Sequence, residues 1–130
     1  IGAWLYPRWN AIPVDQDRPD MGSLKTIIRK LKEGERVLVF PEGERTLDGV
    51  IGEAAPGIGL VAVKSGAVIQ PVRISGAREA LPRGSGKIRL ARITVTVGKP
   101  IRLTPEDTRG DSKECYDRIA KRIMAAIREL

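Results

Sequence analysis

Leu24, Ile27, Ile28 and Leu31 recur at i, i+3, i+4 and i+7, so residues 22–33 read as an amphipathic helix, capped by Asp20 or Ser23 and stopped by Gly34. The next apolar positions are continuous: Val37, Leu38, Val39 and Phe40 have the pattern of a short strand covered on both faces in a parallel sheet, and Pro41 ends it. A polar loop runs through Gly52. Ile58, Leu60, Val61 and Val63, between Pro56 and Gly66, predict a short, mostly buried helix over 57–65. Residues 68–74 read as a second strand, in which Pro71, lacking an N–H for the ladder, marks an edge, a bulge or a strand end. Residues 76–87, with three glycines and a proline, read as a loop. Ile93, Val95 and Val97 then alternate while Ile88 and Leu90 alternate in the opposite phase, predicting a bulge or bend near Ala91-Arg92. The last pattern is the strongest: Tyr116, Ile119, Ala120, Ile123, Ile127 and Leu130 make one helical stripe opposite a charged face, with Asp111 or Glu114 as its cap.

Helix, strand, helix, strand in that order predicts an α/β fold with a largely parallel central sheet flanked by helices. The 130 residues, 42% hydrophobic and 30% charged, suit one domain over 1–130. No apolar run approaches the ~20 residues of a membrane-spanning helix, and IGAWLYPRWN has neither the basic start nor the apolar core of a signal peptide. Trp4, Leu5, Tyr6 and Trp9 precede any element they could pack on, so they imply either a partner or a domain whose earlier part is missing. A lone cysteine, Cys115, excludes an intramolecular disulfide and suits a reducing compartment. The absence of histidine excludes the usual zinc sites and removes the commonest general base.

Charge singles out one stretch. Within 73–102, Arg73, Arg78, Arg83, Lys87, Arg89, Arg92, Lys99 and Arg102 are opposed only by Glu79, which accounts for the whole formal charge of +7. Elsewhere fifteen basic and fifteen acidic residues cancel. The stretch is therefore either a solvated face or a surface for an anionic partner. All five aromatics lie outside it, leaving no stacking platform for nucleic acid; an anionic membrane surface is another partner that such a charge would suit.

Gly84-Ser85-Gly86-Lys87 lacks the upstream glycine of a phosphate-binding loop and opens a strand pattern instead of a helix. Asp15, Asp17 and Asp20 have no distal acidic ligand at calcium-loop spacing and suit helix capping better than a metal. Phe40-Pro41-Glu42-Gly43-Glu44-Arg45-Thr46 differs in kind. It sets a carboxylate, a flexible glycine and a guanidinium just past a buried strand, where open α/β sheets bind ligands. The planar fork of Arg45 suits two oxygens of a phosphate, and Glu42 could hold that arginine or bind substrate hydroxyls. A loop salt bridge between the two is the alternative.

That block resembles the Phe-Pro-Glu-Gly-Thr-Arg-Ser block of the glycerolipid acyltransferase family, 1-acylglycerol-3-phosphate acyltransferase type, with Glu44 and Thr46 as variants. Ala11-Ile12-Pro13-Val14-Asp15 is similar to the family's second block, and Ile69-Gln70-Pro71-Val72 to its fourth, centred on a proline. The three blocks keep their order over roughly residues 1–103; only the terminal helix lies outside the resemblance.

The resemblance implies transfer of a fatty acyl group from a thioester of coenzyme A or acyl carrier protein, a donor substrate and not a cofactor, to the hydroxyl of a lysophosphatidate-like lipid. It places the activity in phospholipid biosynthesis, peripherally at the cytoplasmic face of a membrane. By it, Glu42, Gly43 and Arg45 would bind the acceptor's glycerol-phosphate, and Pro71 would shape the acyl-donor side. Gln16 stands where the second block usually ends in arginine, with Arg18 as a possible substitute, and Ala55 stands where a lysine commonly precedes Pro56-Gly57. The family's base belongs to a His-x-x-x-x-Asp block before the second block, and no histidine is present. The chain is therefore expected to be the later part of an acyltransferase domain, without a catalytic residue of its own and inactive alone. The alternative is a catalytically silent phospholipid- or membrane-binding module.

Overall fold

The computed structural model describes residues 8, 10–12, 21–43, 50–55, 57–82 and 86–130. Its elements are α1 (Met21–Lys32), α2 (Ile58–Ser65), β1 (Val72–Ser75), α3 (Ala77–Ala80), β2 (Thr94–Val97) and α4 (Lys113–Arg128). α1 and α4 fall where the 3.6-residue period places them, and α2 falls between the proline and glycine that bracket its apolar residues. Two of the expected caps differ. Ser23 lies inside α1 and is buried, and α4 is capped by Ser112, whose hydroxyl accepts the Cys115 N–H at 3.4 Å, in place of Asp111 or Glu114.

α4 is the centre of the core. Its Cys115, Ile119, Ile123 and Met124 are buried, and Ile119 and Ile123 pack with Ala62 of α2, flanked by Ile58, Val63, Ile69, Leu103 and Ile127. α2 meets α4 at Gly59, where a Cβ would overlap the Tyr116 carbonyl. α1 leans on the start of α2, with the Leu24 side chain against Gly57, whose φ of +103° favours glycine in any case.

The paired strands are antiparallel: Val72 faces Val97 and Ser75 faces Thr94. The expected largely parallel sheet is not formed among the described residues, whose one ladder is this pair. Residues 37–40 join no ladder there, with Leu38 76% and Phe40 65% exposed, so the expected strand covered on both faces is not formed among the described residues. Past β1 the pairing resumes between Ile69 and Ile101, whose N–H groups donate to each other's carbonyls at 3.0 and 2.8 Å. Gln70 and Pro71 thus oppose three residues, 98–100, so the bulge lies there and not near Ala91-Arg92. Pro71 and Pro100 cannot donate; the Gln70 side-chain amide does so instead, to the Gly98 carbonyl at 2.7 Å. Pro71 thus lies in a bulge just before β1 begins, two of the three places its missing donor allowed. The expected 76–87 loop contains the single turn α3, entered through Gly76 at φ +84°.

Two side-chain clusters fix the approach to α4. Asp107 accepts from the Thr104 N–H at 2.8 Å and from Arg122 at 2.9 Å, which hold its carboxyl below the usual range, the Thr104 bonds mattering most. Asp111 accepts from Lys64 of α2 and, at 2.6 Å, from the Tyr116 hydroxyl. The bond with Lys64 lowers the Asp111 pKa and raises that of Lys64, and the bond to Asp111 raises Tyr116.

The depressed carboxyls stabilise the fold above their unfolded pKa of ~4, and that contribution is lost as pH falls through the folded values. The raised Lys64 and Tyr116 contribute below ~10 and cease to as pH rises through theirs. The urea midpoint should therefore be flat between about pH 5 and 9 and fall on both sides. Asp111→Asn should shallow both falls, since it removes the partner of Lys64 and Tyr116; an unchanged pH curve would show that the cluster is not formed.

Candidate functional site

Residues 40–43 form a tight turn where the extended run ends. The Gly43 N–H donates to the Phe40 carbonyl at 3.1 Å, and Gly43 takes φ +75°, a conformation that costs glycine little. A Cβ there would stand 3.2 Å from that of Ala55, so the turn is packed against the returning chain. That return is held by the Ala55 N–H on the Pro41 carbonyl at 2.6 Å and by Glu42, whose Oε2 accepts the Gly52 N–H at 2.9 Å. The half-buried Glu42 thus ties the turn to Gly52.

Gly52 is held from its other side. Its carbonyl accepts from Nη2 of Arg128, in the last turn of α4, at 2.6 Å. The Arg128 carbonyl accepts in turn from Nη1 of Arg73 on β1 at 3.4 Å. One relay therefore runs from β1 through the end of α4 to Gly52 and Glu42. Arg128 is the residue that pattern reading missed. Seventy-six positions separate it from Gly52, and on sequence it is one more cation on a charged helix face; only its place in the last turn of α4, where cations are favoured, marked it at all.

Of the residues named from sequence, the structure joins Glu42 and Gly43 in one turn. Arg45, Gln16 and Arg18 lie outside the described residues, as do Asp15, Asp17, Asp20 and the aromatic residues Trp4, Tyr6 and Trp9. Pro71 is fully buried, with its carbonyl accepting the Gly98 N–H at 2.9 Å, so it acts on its surroundings through the bulged strand end. Among the described residues no His, Cys, Asp and Glu side chains cluster as a metal site would need, and no helix is long and apolar enough to cross a membrane. The arrangement can present a carboxylate and backbone groups at the mouth of a loop.

Comparison with known proteins gives this turn a context. The chain is 32% identical to the chloroplastic 1-acyl-sn-glycerol-3-phosphate acyltransferase LPAT1 of Arabidopsis thaliana, over 78% of its own length and 29% of that protein's. It is 29% identical to the 1-acyl-sn-glycerol-3-phosphate acyltransferase of Streptococcus pneumoniae, over 100% and 46%. Among solved structures it resembles the 1-acyl-sn-glycerophosphate acyltransferase PlsC of Thermotoga maritima, with a TM-score of 0.71 and 25% identity over 98% of this chain and 50% of that one. The chain thus spans half or less of each of these proteins. A family model described as Acyltransferase matches residues 1–75, more than half of the chain and the whole path from the aromatic start through the Glu42 turn to β1; the chain belongs to the acyltransferase family.

Proposed function

We propose that these residues form the later, acceptor-binding part of an enzyme that moves a fatty acyl group from an acyl thioester to the free hydroxyl of lysophosphatidate. The observation that carries the reading is the Glu42-Gly43 turn, braced by Gly52 and Arg128 in a chain of this family. Names of the similar proteins support the acceptor: they are acyltransferases of 1-acyl-sn-glycerol-3-phosphate.

In this reading Arg45 donates two hydrogen bonds to the acceptor phosphate, Glu42 and Gly43 set the loop that carries it, and Gln16 or Arg18 adds a polar contact. Pro71 shapes the acyl-donor side from beneath, through the strand end. The hydroxyl oxygen attacks the thioester carbonyl as its proton passes to a base, the carbon–sulfur bond breaks, and the thiolate leaves and is protonated. With no histidine in these 130 residues, the base comes from a His-x-x-x-x-Asp block preceding them in the whole protein. The same preceding segment would complete a largely parallel sheet along residues 37–40, covering Leu38 and Phe40. Coenzyme A or acyl carrier protein carries the acyl group, and the enzyme works peripherally at the cytoplasmic face of a membrane.

The test is acyl transfer from a thioester to lysophosphatidate by the chain joined to its preceding segment, beside the chain alone. The joined protein should form diacyl product and the chain alone none. In the joined protein Arg45→Ala should cost tenfold to a hundredfold in kcat/KM, equivalent to a charge-assisted hydrogen bond of ~1.5–3 kcal/mol. Arg45→Lys should act mainly on acceptor KM, because lysine keeps the charge and loses the fork. Unchanged acceptor kinetics in folded Arg45→Ala would return Arg45 to a structural role. The absence of histidine favours one second reading, a silent phospholipid-binding relative; it would be upheld if the joined protein bound lysophosphatidate without transferring to it.

A further inference from the structure

Residues 86–93 carry two properties that a solvated face does not combine. Ile88 is 84% exposed and Leu90 107%, as open as side chains on a free peptide. Between them and beside them stand Lys87, Arg89 and Arg92, all exposed, and no acidic residue occurs from 86 to 105. A basic face that only needed solubility would not display its aliphatic side chains this fully, since open apolar surface rimmed by charge marks an interaction site.

The strip is held in place. The Arg89 N–H donates to the Ala80 carbonyl at 2.7 Å, and the Arg92 carbonyl lies so close to Gly76 that a Cβ there would overlap it. The backbone is thus pinned along α3 and its entry while Ile88 and Leu90 project outward. Arg73, part of the same basic stretch, is turned away to the end of α4. The structure therefore narrows the thirty-residue stretch to one short strip and adds an apolar component that charge counting does not reveal.

We propose that this strip docks on an anionic lipid bilayer, with Ile88 and Leu90 entering the boundary between headgroups and acyl chains while Arg89 and Arg92 meet the phosphates. Charge complementarity selects this occupant: all the nearby charges are positive, and an apolar pair among them fits a surface that is anionic outside and hydrocarbon within. The exposed Leu38 and Phe40 are different, since two acids, Glu35 and Glu42, stand beside their run against one base, Arg36. The proposal deepens the membrane aspect of the function above. Its assay contains neither acyl donor nor acceptor, so the two can fail separately.

Leu90→Cys in the 130-residue chain, labelled under native conditions with a polarity-sensitive fluorophore, reports on the strip, because Cys115 is 1% exposed and shielded from the reagent. The emission should shift to the blue with vesicles of phosphatidylcholine and phosphatidylglycerol, and not with phosphatidylcholine alone. In sedimentation of the unlabelled chain, Ile88→Ser/Leu90→Ser should lower partitioning roughly tenfold or more. Arg89→Gln/Arg92→Gln should lower it roughly thirtyfold and flatten its salt dependence. All four positions are exposed, so the variants should keep the circular dichroism of the parent. Emission unmoved by anionic vesicles, or equal sedimentation by all three proteins, would overturn the proposal. A blue shift that grows with protein concentration without lipid would overturn it in favour of a second copy of the chain.

Discussion

Gly59→Ala is expected to destabilise the chain by more than about 3 kcal/mol, although it adds only one methyl group. On an isolated helix the same change would stabilise by roughly 1 kcal/mol, because alanine is the best helix former and glycine among the poorest. The sign reverses because Gly59 is where α2 and α4 touch: its Cβ would overlap the Tyr116 carbonyl oxygen, with the rest of that peptide immediately behind. A side chain in the way could rotate, but a helix backbone cannot, so the two helices must part. Their separation would open the contacts of Ala62 with Ile119 and Ile123. It would also draw Arg128 from Gly52 and so release the brace on the Glu42 turn. With total stability of ~5–15 kcal/mol for a typical domain, such a loss leaves little. The urea midpoint decides the matter, and a value at or above that of the parent would show that the helices do not meet at this residue.

Ile119→Ala is the second large effect, expected to cost about 2–5 kcal/mol. Ile119 is among the largest side chains with essentially no exposure, on the face of α4 between Ala62 and Ile123. Truncation removes three carbons from a close-packed interior, and the helices around them, fixed by their own hydrogen bonds, close the gap only partly. The melting temperature should fall by about 10 °C or more. Val95→Ala is the matched control: Val95 is an exposed apolar side chain on β2, and its loss should change stability by under ~0.5 kcal/mol. Similar losses from both would mean that the core is elsewhere.

These two residues also show what could be read in advance. Ile119 belongs to a stripe with helical period, and a period of 3.6 is a local property that five or six side chains suffice to display. The same holds for α1, while α2 was marked by the proline and glycine at its ends, and Pro71 announced an edge, a bulge or a strand end through its missing donor. Gly59, by contrast, is one glycine among fourteen; nothing near it in the chain says that another helix will pass there. The unpaired state of residues 37–40 was hidden for the same reason, since four consecutive apolar residues state that a strand wants two neighbours without saying whether they lie within these residues. The displaced bulge follows from a register set jointly by Pro71, Gly98 and Pro100. In the candidate site, Glu42 and Gly43 stood out through residue type and position after an apolar run. Their ties did not, because Gly52 is ten positions from Glu42 and Arg128 is seventy-six from Gly52.

Those separations also govern how the chain folds. Its helical content suggests rapid formation from local contacts, yet the bonds that join its parts are far apart in sequence: 47 residues for Lys64 with Asp111, 55 for Arg73 with Arg128, and 76 for Gly52 with Arg128. α2 and α4 can each flicker into shape alone, but neither is long enough to persist in water without the other's apolar face. The entropy of closing the chain between them must be spent before any of the core is gained, which should slow folding relative to a chain held by local contacts alone. The meeting of α2 with α4 is then expected to form late, and Gly59, which stands at that meeting, bears on how the Glu42 turn comes into being as well as how long it lasts.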